Sequence, residues 1–318
     1  MDSPAEQPTM TEPQDCEPDR EGAGATARQS PSELDRATAV ESLGDGRFTG
    51  RIDPGWGAPT GPNGGYLAAI VTRAMQAQVA PSGERQLRSL STHYLRPARE
   101  GEIDIEVELV RAGKRFSTAR LRALQGGKEV MAALGAFSVP GLPSAGTWQP
   151  QMPTVLPAPP RDAGRMPVDG YRPDSGRWVE PHERMPPIVQ RVKIAPRFGG
   201  APFAGRELAP GDAPETGGWI ELPEPRRIDA ALVALLTDVW WPPSFQPLSA
   251  PAIAPTVDLT IHVRADLPPE GLPDQPVLGR YLTRAALGGT MEEDGELYLA
   301  DGTLLAQSRQ LALLAPLG

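Results

Sequence analysis

The chain has 318 residues, with 40 acidic against 31 basic side chains, a net charge of -9 and a pI near 5.0. That length allows two domains with cores of their own, and the acidic balance argues against a nucleic-acid or anionic-membrane surface as the main partner. The single cysteine, Cys16, excludes an intrachain disulfide, no run of about 18 apolar residues marks a membrane span, and Met1 to Arg28 lacks a secretory pattern, so the cytoplasm is the expected compartment.

Residues 1–33 mix Pro, Glu, Gln, Thr, Gly and Ala with almost no large apolar side chain, and such a segment cannot bury enough surface to offset the entropy of ordering. A disordered tail is expected there. The first structured unit is expected over 34–140. Tyr66 to Gln78 carries Leu67, Ile70, Val71, Ala74 and Met75 at helical spacing, after a turn of Gly61, Pro62, Asn63, Gly64 and Gly65. Ile103, Ile105, Val107 and Leu109 then alternate with Asp104, Glu106 and Glu108, which predicts a strand with one dry face. Strands over 115–124 and 129–139 flank Gly126-Gly127, the mark of a tight hairpin turn.

Residues 141–184 are poor in apolar side chains and contain Pro-Ala-Pro-Pro at 157–160, so they read as a semi-extended linker, with Tyr171 and Trp178 able to pack against a domain. The second unit is expected over 185–318. Strands are predicted at 188–194 and 217–222, followed by a helix over 228–240 that is apolar on nearly every side and must be buried nearly all round. Strands at 257–263, 277–286, 295–300 and 304–314 complete it.

The two units read as one motif used twice. Each runs from an apolar helix into a strand series, and each places a histidine and an arginine after the helix, in Ser-Thr-His-Tyr-Leu-Arg at 91–96 and Leu-Thr-Ile-His-Val-Arg at 259–264. A sheet curled around a central helix, made twice, accounts for a helix without a polar face, and the fold class is α+β.

Gly-Pro-Asn-Gly-Gly-Tyr-Leu-Ala-Ala at 61–69, His-Tyr-Leu-Arg-Pro at 93–97 and Ala-Gln-Ser-Arg-Gln-Leu-Ala at 306–312 resemble the bacterial type II acyl-CoA thioesterases. The resemblance covers about 34–140 and 185–318 and implies a double hotdog fold, two tandem units each with a central helix wrapped by an antiparallel sheet. It also implies hydrolysis of an acyl-CoA, or another acyl thioester, to a free acid within fatty acid metabolism, with coenzyme A present only as part of the substrate and no metal or other cofactor. In that family an aspartate, a hydroxyl residue and a glutamine hold the attacking water, and the matching positions are Asp238, Thr256 and Gln310. The types suit the task, since a carboxylate accepts a proton while a hydroxyl and an amide orient a water. Gln307 is the competing glutamine. The helix start at Asn63, Gly64, Gly65 and Tyr66 is the expected substrate-binding segment, where backbone N–H groups would polarise the thioester carbonyl.

Blander readings stand beside these. His93 and His262 lie in alternating strands, where a histidine facing solvent or satisfied by a neighbour is the common case. Arg111, Lys114 and Arg115 could meet the phosphates of coenzyme A, although a solvated hairpin tip is the default. Leu67, Ile70, Val71 and Met75 could line an acyl tunnel or simply fill the core. Two other functions fit the same fold: a non-catalytic module for acyl thioesters or an acyl-carrier partner, and an enoyl-thioester hydratase or dehydratase pairing His262 with Asp258 or Asp266. Two units in one chain supply the pairing that single units obtain by dimerising, and a homo-oligomer stays open.

Overall fold

The structure is a computed structural model that describes residues 30–168, 172–183 and 185–317. Of the tail expected over 1–33, residues 1–29 lie outside the described residues, as do Cys16 and Tyr171, while Ser32 caps α1 and Glu33 opens it. The first half contains α1 (Glu33–Ala37), β1 (Val40–Gly44), β2 (Arg47–Ile52), α2 (Gly64–Val79), β3 (Gln86–Tyr94), β4 (Gly101–Ala112), β5 (Phe116–Gln125) and β6 (Lys128–Ser138). The second contains α3 (Pro187–Gln190), β7 (Lys193–Phe198), β8 (Glu215–Glu221), α4 (Ala230–Leu236), β9 (Thr256–Val263), β10 (Val277–Leu282), β11 (Thr290–Tyr298) and β12 (Leu304–Leu313).

Among the described residues thirteen strands form one sheet in the order β1-β2-β4-β5-β6-β3-β9-β12-β11-β10-β8-β7, the thirteenth being Ala286–Leu287 beside β11. Each half therefore repeats the same connectivity outward from a central seam between β3 and β9, where Ser91 faces Thr260 and their hydroxyls lie 3.0 Å apart. This is the double hotdog, and the duplication read from the helix-plus-strand series is a duplication of topology.

The elements follow local rules. Gly126 and Gly127 both take positive φ, 54° and 73°, which is what a two-residue turn of the hairpin β5–β6 demands. In β4 the alternation holds for Ile103, Ile105 and Val107, at 5% exposure or less, and ends before Leu109, which is exposed next to a register shift at Leu109/Arg111. α2 and α4 pack against each other inside the sheet, and every residue of α4 is buried. Leu67, Ile70, Val71 and Met75 all belong to this core.

Three expectations change, and two strands were not foreseen. The first helix starts at Gly64 and not Tyr66, because Asn63 caps it: its Oδ1 accepts the Tyr66 N–H at 2.9 Å, which draws both glycines into the first turn. The second helix covers Ala230–Leu236 and not 228–240. Ile228 is pinned in a bridge to Leu272, the Thr237 hydroxyl donates to the Ala234 carbonyl at 2.8 Å, and Pro242-Pro243 bars continuation. The strand expected at 188–194 is a one-turn helix with Pro187 at its start, and β7 begins only at Lys193. β1 and β2, short and half-exposed, carried no recognised signal in the sequence.

The segment read as a linker is packed along the outer face of the second half. Trp178 is fully buried against Ala195, Trp219, Leu278, Tyr298 and Leu304, with Met152, Val155, Ala158 and Ala163 beside them. Side-chain donors staple its backbone down: Arg197 Nε to Leu156 O at 2.9 Å, Trp219 Nε1 to Leu156 O at 2.8 Å, Trp178 Nε1 to Pro160 O at 2.8 Å and Lys193 Nζ to Arg161 O at 2.8 Å. An apolar-poor strand of chain stays ordered here because its carbonyls are satisfied by buried donors of the sheet.

Candidate active site

Asp238 follows α4 in a turn, its N–H bonded to Leu235 O at 3.2 Å, and the crossing of the two helices aims its carboxylate at the start of α2. The Gly65 N–H donates to Asp238 Oδ2 at 2.9 Å. Asn63 Nδ2 donates to the same oxygen at 3.1 Å and to the Asp238 carbonyl at 2.7 Å, so this side chain caps α2 and ties the two halves together. Gln310, on β12 and 4% exposed, donates from Nε2 to Asp238 Oδ1 at 3.1 Å, while its Oε1 accepts the Thr256 hydroxyl at 2.9 Å. The three residues expected to manage a water thus form one hydrogen-bonded chain, although they come from the turn after α4, from the first residue of β9 and from β12.

Glycine is required at both helix positions. A Cβ on Gly64 would lie 2.9 Å from Asp238 Oδ2, and one on Gly65 would lie 2.7 Å from the Leu235 carbonyl oxygen. Burial pushes the Asp238 carboxyl up to about 6, against the pull of the Gly65, Gln310, Gly64 and Asn63 hydrogen bonds, which favour the charged form. The group retains partial solvent access. The Tyr94 hydroxyl donates to the Gly64 carbonyl at 2.7 Å, and burial, reinforced by Asp238, holds it well above the usual phenol range.

Two backbone donors of the helix start are bonded within the protein. The Gly65 N–H is taken by Asp238, the Tyr66 N–H by the Asn63 cap, and the Tyr66 side chain is fully buried, its hydroxyl donating to Ala37 O at 2.8 Å. The Asp238 carboxylate lies at the positive end of this helix, where the macrodipole favours negative charge. Gln307 is excluded from the site by the pleat: it lies opposite His262 and Glu296 on the outer face, three residues from the inward-facing Gln310.

His93 and His262 are exposed on the outer face of the sheet, where Asp258 lies opposite His93, and Asp266 is ion-paired with Arg88. Arg111, Lys114 and Arg115 are exposed where β4 turns into β5. Among the described residues no three His, Cys, Asp or Glu side chains converge as a metal site, and no helix is long and apolar enough to cross a membrane.

One site residue carried no flag in the sequence. Glu293, on β11 and 4% exposed, accepts from the second N–H of Gln310 at 2.9 Å. Its signal was the strand period, since Met291, Gly295 and Leu297 on the same face are buried, but it sits in the run Glu292-Glu293-Asp294, which reads as solvated.

Residues 52–138 match the model of the acyl-CoA thioesterase N-terminal domain, and residues 156–314 match that of the C-terminal domain. The chain belongs to the acyl-CoA thioesterase family. The second match begins inside the packed segment described above, consistent with its attachment to the second half. A conserved protein of unknown function with a hot dog fold from Alicyclobacillus acidocaldarius is 27% identical, with 89% of this chain and 98% of that one covered at a TM-score of 0.74. The tesB protein of Mycobacterium avium subsp. paratuberculosis is 20% identical, covering 90% of this chain and 100% of that one, TM-score 0.68. Acyl-CoA thioesterase II TesB2 from Mycobacterium marinum is 17% identical, covering 90% and 98%, TM-score 0.64. These last two likenesses concern the fold. No curated protein matches the sequence.

Proposed function

We propose that this chain hydrolyses an acyl-CoA to a free carboxylic acid and coenzyme A, with Asp238 as the base that activates water. The observation that carries the reading is the hydrogen-bonded chain from Thr256 through the Gln310 amide to Asp238, set at the N-terminus of α2. A carboxyl raised to about 6 is ionised at neutral pH yet more basic than an ordinary aspartate, which suits a general base. In this reading a water bound at Asp238 loses a proton to the carboxylate as its oxygen adds to the thioester carbonyl. The tetrahedral intermediate then expels the coenzyme A thiolate as the C–S bond breaks, and the proton held by Asp238 is returned to the sulfur. Thr256 and Gln310 hold the water and the carboxylate in register.

The test is thiol release from short, medium, long and aromatic acyl-CoAs by the native chain and by Asp238→Asn. Turnover that is lost in the variant, with folding retained, supports the reading. Full activity in the variant removes Asp238 from the chemistry. Tight acyl-CoA binding without turnover by the native chain would make it a binding module instead.

A further inference from the structure

Glu293 has no part in the chemistry above, yet it is among the most deeply buried charged side chains of the described residues and it touches a proposed catalytic amide. Its position opposite Gln310 in the β11–β12 ladder and its inward orientation fix the contact. The Gln310 amide has two N–H donors and one oxygen, and all three are assigned: one N–H to Asp238, one to Glu293, the oxygen to the Thr256 hydroxyl. Turning the amide over would set its oxygen against the Asp238 carboxylate and take the acceptor away from the Thr256 hydroxyl.

The charges around Glu293 point the same way. Asp238 faces it from the turn after α4, Tyr281 from β10 and Gln310 from β12, and Glu292 and Asp294 flank it on its own strand. None of these is a cation, and the two arginines that reach Asp294, Arg284 and Arg309, are largely exposed. Two ionised carboxylates sharing one amide in a buried site would lack any compensating positive charge. Asp238 has the Gly65, Asn63 and Gln310 donors, whereas Glu293 has one donor and an Oε2 without a partner among the described residues.

We propose that Glu293 is a positioning residue of this site: in its protonated form it holds the Gln310 amide in the one orientation that serves both Asp238 and Thr256, and leaves the negative charge on Asp238. The inference rests on the reading of Asp238 as the base. Burial, and after it the Asp238 charge, pushes the Glu293 carboxyl up to about 8, which agrees with a proton retained at neutral pH. The two groups then titrate as a pair in two steps, Asp238 first.

The experiment compares kcat, KM and their pH profiles for the native chain, Glu293→Gln and Glu293→Leu, with carboxyl NMR titration of the native chain and of Asp238→Asn. Glu293→Gln keeps an oxygen for the Gln310 N–H, so kcat should stay within about threefold at neutral pH and the inflection near pH 8 should vanish. Glu293→Leu frees the amide to turn over and should lower kcat roughly 10- to 100-fold with KM little changed, in a protein as stable as the native one or more so. Native kcat and pH profile in Glu293→Leu would overturn the proposal, as would equal losses in both variants or a Glu293 found ionised at pH 7. The titration separates the two readings: if no thioester is turned over, the base assignment fails, while a Glu293 pKa that drops in Asp238→Asn still supports proton sharing.

Discussion

The two main helices begin in opposite electrostatic settings. At the start of α2 the facing carboxylate, Asp238, meets only neutral donors and a second buried carboxyl, and it is pushed up to about 6. At the start of α4 the capping Asp229 is joined by Asp35, and both are gripped by arginines: Arg226 Nη2 reaches Asp35 at 2.9 Å and Asp229 at 2.6 Å, and Arg73 reaches them at 2.6 Å and 3.1 Å. Asp35 loses solvation there too, but the Arg226 and Ser32 hydrogen bonds outweigh that and take it down to about 2. The same topology thus yields one carboxylate locked as an anion and one poised to take a proton, and the difference is the presence of guanidinium groups. A carboxylate held that far down is too weak a base to take a proton at neutral pH, which is why the proposed base lies at the α2 end.

The strongest way to break this contrast is Asp238→Asn, which should lower thiol release roughly a thousandfold while leaving urea unfolding unchanged or shifted to greater stability. At the other helix start Arg226→Met, which leaves Asp35 and Asp229 with Arg73 alone, should cost about 1–3 kcal/mol in urea unfolding and little in kcat. Gly65→Ala drives a methyl against the Leu235 carbonyl and should separate the helices, costing about 1–3 kcal/mol by the same measurement, with kcat falling because Asp238 moves with α4. Thr256→Val removes the hydroxyl that fixes the Gln310 oxygen and should lower kcat about tenfold at constant KM.

The contrast extends to pH. Asp35 is more acidic folded than unfolded, so its stabilisation is full above its ordinary value of 3.8 and is lost as the pH falls toward 2. Asp238 and Glu293 are less acidic folded than unfolded, so the folded state binds their protons more tightly, and stability declines as pH rises from 3.8 to about 6 and from 4.5 to about 8. Thermal melts of Asp238→Asn/Glu293→Gln should lose the decline between pH 5 and 8 and keep the acid limb; a native-like decline in the double variant would place its origin elsewhere.

The repeat, the apolar helices and the strands around Gly126-Gly127 and 103–109 were legible because each depends on neighbours in sequence: period, turn chemistry and a run long enough to show both. Thr256, Gln310 and Asp238 were reached through motif resemblance, Gln310 being preferred to Gln307 for its Arg-Gln-Leu context, and the pleat sets Gln310 inward and Gln307 outward. The segment around Trp178 looked like a spacer, since nothing in its own composition announces that Arg197 and Trp219, far along the chain, will bind its carbonyls.

The amino-acid order by itself determined the α+β class and the duplication, because these follow from local periodicity. Only the tertiary structure decided that the Gly65 N–H at the α2 start would bond Asp238, and that Glu293 would share the Gln310 amide with it. Those outcomes depend on the crossing of two helices and the register of β11 against β12, which bring charges distant in sequence into a low-dielectric site where their mutual distances, and not their identities, set their protonation.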